Sequence, residues 1–250
     1  MTEPEEPPPG PEDSRTEPWA EWTDPVGPHR ATIIWLHGIG QEPAELAAVA
    51  ARLHLAEAGI RGVYPYGPVR TSSPLTGAPV RVWYPQNVFA LNQVDLPGLM
   101  AVRRRLSGLV AREAVRIGSE RVLLAGFSQG ALVALALGLC HPRRLAGLAL
   151  YAPFLPPEVE PVLAAGRAPA AAGLPVWIGH GARDWIVPLS AGAALRDTLT
   201  EWGHPVSWQR YRGGHEAFAE VVASLPDFLN GVLGTDVPRG TRPSRAGQDR

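Results

Sequence analysis

The 250-residue sequence contains no lysine: all 23 of its basic side chains are arginine. Cysteine is nearly missing as well. Cys140 stands alone, so no disulfide can close within the chain and no cysteine-based metal site can be assembled. Its place at the end of an apolar stretch fits a small core residue. No apolar run reaches the roughly 18–20 residues needed to cross a bilayer. The opening MTEPEEPPPG has neither the basic nor the apolar region of a secretory signal. These absences lead to the expectation of a cytoplasmic protein without a membrane span. An excess of either charge is also lacking. The 23 basic and 24 acidic residues leave a net charge of −1, which argues against nucleic-acid binding, since that rests on neutralising phosphates. With 45% apolar residues, wholesale disorder is excluded, and the length suffices to bury a full core.

The near-neutral total conceals an uneven distribution. Residues 1–28 hold eight acids against Arg15 and eight of the 27 prolines. Residues 231–250 carry four arginines against two aspartates. The stretch between, 29–230, is left at +4. Both ends are poor in apolar residues and rich in Pro and Gly, so they read as flexible tails flanking one domain over 29–230. Trp19 and Trp22 are placed to dock the end of the first tail onto that domain.

Within the domain, short apolar runs alternate with helical patterns. Strands are expected at Ala31–Leu36, Ile60–Tyr64, Arg121–Ala125, Leu145–Leu150, Pro175–Gly179 and Val206–Tyr211. Helices are expected at Pro43–Ala58, Leu96–Ile117, Gln129–Cys140, Leu189–Trp202 and Glu216–Leu229. Strands that run apolar without alternation, with helices between them, indicate an α/β protein: a mostly parallel sheet covered on both faces. Two stretches, Pro65–Pro97 and Ala152–Gly173, show little periodicity. The first is rich in aromatics (Tyr66, Trp83, Tyr84, Phe89), which suggests a folded loop that covers a site.

The sharpest motif is Gly126-Phe127-Ser128-Gln129-Gly130, set between a strand and an apolar helix. A serine in such a turn adopts a strained backbone that only small neighbours permit, and its hydroxyl is lifted above the sheet. Serine at its ordinary pKa needs a base, and the base needs an acid to orient it. With this strand–turn–helix nucleophile, acid and then base follow on loops after later strands. His29 lies near the tail, His54 within a helical pattern, and His141 and His204 at helix ends. His37 and His180 precede glycines at strand ends, where backbone contacts are their expected role. His215 alone follows the last strand and precedes the last helix, so it is the candidate base. Asp184 follows the preceding strand. Asp197 and Asp227 sit in helical patterns and Asp95 precedes the serine, so Asp184 is the candidate acid. The oxyanion formed by attack on an acyl carbonyl would be met by the N–H of Gln129 and by that of Ile39, in the glycine loop His37-Gly38-Ile39-Gly40. Arg70 and Arg81 are candidate contacts for an anionic substrate, with surface solvation or loop anchoring as the alternative.

These residues resemble the phospholipase/carboxylesterase family of α/β-hydrolases, which includes the acyl-protein thioesterases. The resemblance is carried by Leu36 through Gly40, Pro65 through Arg70, Trp83, Gly126 through Ala131, His180-Gly181 with Asp184 and Val187-Pro188, and Gly214-His215. It covers about residues 31–230. It implies an α/β-hydrolase fold without a large cap domain, and hydrolysis of small carboxylic esters or acyl thioesters without a metal or other cofactor. It also implies that Trp83 lies beside the acyl site. The segment Val82–Phe89 departs from the family pattern except at Trp83, and Ala182 stands where many relatives have an acidic or polar residue. Other readings on the same scaffold are a biosynthetic tailoring enzyme and a non-catalytic ligand-binding relative. The sequence is compatible with a homodimer.

Overall fold

The computed structural model describes residues 19–70, 79–86, 93–216 and 218–239. Phe89 lies outside the described residues. Seven strands form the main sheet: β1 (Ala20–Thr23), β2 (Ala31–Leu36), β3 (Ile60–Pro65), β6 (Val122–Phe127), β7 (Gly147–Tyr151), β8 (Val176–Gly181) and β9 (Val206–Tyr211). Their order across the sheet is β1-β3-β2-β6-β7-β8-β9. All neighbours run parallel except β1, which lies antiparallel on β3 with Ala20 opposite Pro65. A two-stranded hairpin, β4 (Val69–Arg70) and β5 (Val80–Arg81), stands apart from the sheet. The helices are α1 (Pro43–Arg52), α2 (Leu96–Ile117), α3 (Gln129–Leu139), α4 (Glu160–Gly166), α5 (Leu189–Glu201) and α6 (Phe218–Leu233).

The apolar runs become strands because both faces of the sheet are covered. On one face Leu106, Leu109 and Val110 of α2, the whole of α3, and Leu195 and Leu199 of α5 pack on Ile34, Leu36, Leu124, Leu148 and Ile178. On the other, Leu46 and Val49 of α1 and Leu225 and Leu229 of α6 meet Ile33, Leu123, Ala149 and Trp177. Every residue of α3 is buried, which explains its lack of a polar face. Each fully buried leucine in it contributes roughly 1.5–3 kcal/mol.

Several boundaries differ from expectation for identifiable reasons. α1 stops at Arg52, not near Ala58, because His54 takes a left-handed backbone (φ 52°). The Leu55 N–H then returns to Ala50 O and the His54 N–H to Ala51 O, a helix stop that usually employs glycine. Ala152–Gly173 contains the short α4. The sheet also takes in Ala20–Thr23. Trp19 and Trp22 pack against the α2–α3 core, and the Arg105 guanidinium lies 4.4 Å from the centre of the Trp19 ring.

The chain runs from β2 outward to β3, then returns to β6 and proceeds the other way. The order therefore reverses between β2 and β6. In open parallel sheets the crevice at such a reversal, outside the carboxyl ends of the strands, is where ligands bind. The loops after β2, β6, β8 and β9 all open at that edge.

Candidate active site

Ser128 occupies the tight turn from β6 into α3 with φ 53° and ψ −116°. For a residue with a Cβ this conformation costs about 1–3 kcal/mol. Two glycines make it sterically feasible. A Cβ on Gly126 would lie 2.3 Å from the Gly130 carbonyl oxygen, and one on Gly130 would lie 2.1 Å from the Leu36 carbonyl oxygen. The Ser128 N–H donates to Tyr151 O on β7 at 2.9 Å. The turn is thus bonded to the neighbouring strand as well as to its own.

Asp184 and His215 meet from the loops after β8 and β9. His215 Nδ1 donates to Asp184 Oδ2 at 2.7 Å, while Oδ1 of the same carboxylate accepts the N–H groups of Ile186 and Val187 at 3.0 and 2.9 Å. Burial pushes the Asp184 carboxyl up. The hydrogen bond and charge of His215 and the two backbone donors outweigh it, and the group sits below its ordinary range. With Nδ1 engaged, Nε2 is the nitrogen of His215 available to accept a proton. The His215 ring leans on Phe127 at 4.7 Å, which places it one residue from Ser128. Phe127 stacks in turn on Tyr151 at 5.3 Å. The second position of the Gly-Phe-Ser-Gln-Gly motif therefore supports the imidazole.

The loop after β2 is tied down on both sides of Ile39. Gly38 N–H donates to Gln41 Oε1 and Gly40 N–H to Arg81 O, each at 2.9 Å. Among the described residues no acceptor takes the Ile39 N–H that lies between them. Gln129 opens α3, and its backbone N–H is not capped by the Ser128 side chain. First-turn N–H groups are free to meet developing negative charge.

His37 works on the backbone. It is fully buried, with Nδ1 donating to Gly38 O at 2.7 Å and Nε2 accepting the Gly67 N–H at 3.0 Å. Burial lowers its pKa from 6.5 to about 4, so it is a neutral strut between two loops. Trp83 is likewise buried. Its indole N–H donates to His37 O at 2.8 Å, and its ring stacks on the imidazole at 4.6 Å. Trp83 also lines a groove with Pro68, Arg70, Val102, Arg105 and Leu106.

The side chain of Gln129 has a function that its backbone position does not reveal. Oε1 accepts the Trp83 N–H at 2.9 Å and Nε2 donates to Tyr84 O at 2.9 Å. A primary amide offers a donor and an acceptor side by side, like a strand edge, and here it clamps residues 83–84 to the start of α3. Arg81 has the geometry of a loop anchor. Its Nε donates to Glu42 Oε2 at 2.7 Å, and its guanidinium lies 4.5 Å from the centre of the Tyr66 ring. Arg70 is exposed on β4.

The structure therefore gathers Ser128, Gln129, Ile39, Asp184 and His215 at one edge of the sheet. His180, near the end of β8, makes the kind of backbone contact expected of it, its Nε2 lying 2.9 Å from Val187 O, whereas the clamp made by the Gln129 amide is not foreseen in the sequence. The only signal for that clamp is the glutamine of the motif. Among the described residues no three His, Cys, Asp or Glu side chains are grouped to hold a metal. No helix among them is long and apolar enough to cross a membrane.

A reversing parallel sheet with a strained serine at its carboxyl edge defines an α/β-hydrolase. The profile of the phospholipase/carboxylesterase family matches residues 20–233, and the chain belongs to that family. It is 29% identical over 223 residues to acyl-protein thioesterase 1 of Mycosarcoma maydis, covering 81% of this chain and 91% of the relative. To the protein of the same name from Schizosaccharomyces pombe it is 32% identical over 175 residues, 68% of this chain and 77% of the relative. The crystal structure of Zea mays acyl-protein thioesterase 2 superimposes with a TM-score of 0.66 at 25% identity, covering 84% of this chain and 98% of the other. The chain is a hydrolase of the carboxylesterase/thioesterase type.

Proposed function

We propose that the protein hydrolyses carboxylic esters or acyl thioesters through an acyl-enzyme formed on Ser128. The observation that carries this reading is Ser128 at φ 53° in the β6–α3 turn, with the 2.7 Å Asp184–His215 pair resting on its neighbour Phe127. His215 Nε2 takes the Ser128 proton as Oγ attacks the acyl carbon. The oxyanion is met by the Gln129 and Ile39 N–H groups, each such donor being worth about 3–4 kcal/mol in the transition state. His215 then passes the proton to the departing alcohol or thiol. Water, deprotonated by the same Nε2, releases the acid and regenerates the serine. Asp184 keeps the Nδ1–H tautomer and balances the imidazolium. The relatives named acyl-protein thioesterase support the thioester arm of this proposal.

A fluorophosphonate probe is expected to label the wild-type chain, and Ser128→Ala to abolish the label. A folded wild-type chain that takes no label overturns the nucleophile. Rates on p-nitrophenyl esters and matched acyl thioesters of rising chain length then separate the two substrate classes and bound the acyl pocket.

A further inference from the structure

The acid loop holds a second imidazole that the proposed reaction does not use. His180, near the end of β8, is fully buried. Its Nε2 lies 2.9 Å from Val187 O and 3.6 Å from Asp184 Oδ2. A carbonyl only accepts, so Nε2 bears the hydrogen. Nδ1 is then the bare nitrogen, and among the described residues it has no hydrogen-bond partner. It faces α5 at Gly192, where a Cβ would stand 2.2 Å from Nδ1. Burial pulls the imidazole below its ordinary pKa, against the opposing pull of Val187 O and the Asp184 charge, so it stays neutral. The other titratable group acting on it is His215, on the loop after β9.

We propose that His180 is a positioning residue for the reaction put forward above, holding the Asp184 carboxylate in register with His215 through the Nε2–H it presents to Val187 O and Asp184 Oδ2. It acts by two routes. The first is mechanical. The Val187 N–H donates to Asp184 Oδ1 at 2.9 Å, so fixing the Val187 carbonyl fixes the residue that supplies this donor. The second is electrostatic. At 3.6 Å the Nε2–H is not hydrogen-bonded to Oδ2, but its positive end faces the same oxygen that His215 contacts, in a buried and weakly screened setting. A cation at this place would oppose the imidazolium that forms on His215. A neutral donor stabilises the carboxylate without that opposition. Gly192 is the companion of this arrangement, since any larger residue there displaces the ring.

The experiment is an NMR titration of the His215 Cε1–H in the full chain, paired with kcat and KM for p-nitrophenyl acetate. It compares wild type with His180→Phe, His180→Gln and Gly192→Ala. Phenylalanine keeps a ring but removes the donor. The less compensated carboxylate then favours the imidazolium, and the His215 midpoint is expected to rise by about half a pH unit or more. With the acid less well held, kcat is expected to fall about tenfold at unchanged KM. Glutamine places an N–H near the Nε2 position and is expected to restore both. Gly192→Ala sets a Cβ 2.2 Å from Nδ1 and pushes the ring aside, so it is expected to move the His215 midpoint upward as His180→Phe does. A His180→Phe chain with wild-type midpoint and kcat overturns the proposal, as does a glutamine variant as impaired as the phenylalanine one. A wild-type chain that hydrolyses no ester and takes no fluorophosphonate overturns the hydrolase reading instead, and the midpoint still decides the role of His180.

Discussion

Trp83 is tied to His37 twice. Its indole N–H donates to the His37 carbonyl at 2.8 Å, and its ring stacks on the imidazole at 4.6 Å. The carbonyl lies at the root of the loop that presents the Ile39 N–H. Trp83→Phe keeps the stacking surface and leaves that buried oxygen unpaired, at a cost of about 1–3 kcal/mol. The expected result is a lower kcat for short esters with KM little changed, while fluorophosphonate still labels Ser128. Steady-state kinetics beside a labelling gel checks it.

The Gln129 amide bridges Trp83 N and Tyr84 O. Gln129→Ala leaves a buried donor and a buried acceptor without partners and is expected to destabilise the fold by about 2–4 kcal/mol. Gln129→Glu accepts but does not donate, and it sets a carboxylate against the Tyr84 carbonyl. It is expected to be no better than alanine despite its shape. Urea unfolding of the two variants tests this order.

Ser128 has φ 53°. Glycine adopts this backbone without strain, so Ser128→Gly is expected to raise stability by about 1 kcal/mol while abolishing hydrolysis. Ser128→Ala, which keeps the Cβ, is expected to be equally inactive without that gain. Thermal melts of the two variants side by side give the comparison.

The folded-state pKa of His37 is about 4, below the 6.5 of a free imidazole. Between these values the unfolded chain binds a proton that the folded chain refuses. Stability is therefore full above this window and is lost as the pH falls through it, by about 3 kcal/mol for His37 alone. His29, His180 and His204 are also lowered by burial and act in the same direction. Asp184, held below the ordinary carboxylate range, adds a loss that begins only at more acid pH. Unfolding in guanidinium at about pH 7.5 and about pH 5 is expected to show the acid-side loss, reduced in His37→Gln.

Much of this architecture is legible in the sequence where a signal is local. The runs at Ala31–Leu36 and Val206–Tyr211 and the helix Leu96–Ile117 have the same bounds in the structure. The apolar run at Ala31–Leu36 and the 3.6-residue spacing of Leu96–Ile117 leave few alternatives there, while Val206–Tyr211, partly exposed at the sheet edge, is marked by the alternation of Val206 and Trp208 with Ser207 and Gln209. The Asp184–His215 contact follows from strand order, which the motif at Ser128 anchors. Other features depend on neighbours remote in sequence. β1 is a four-residue edge strand with Glu21 exposed, set in acidic, Pro-rich surroundings that dominate any window around it. The stop at His54 needs a left-handed residue that composition gives no reason to place there. The pairing of Gln129 with Trp83 spans 46 positions, and the contact of His180 with Asp184 depends on the space left by Gly192.

At the reversal of the sheet, Gly126 and Gly130 bring β2, β6 and α3 together through backbone atoms alone. No side chain is interposed whose size could set the spacing. The leucines of α3 are buried but take no part in this backbone contact, so replacing one of them with a smaller apolar residue is expected to lower resistance to heat more than turnover. Durability and catalytic rate can thus drift, or be engineered, as separate traits of one helix.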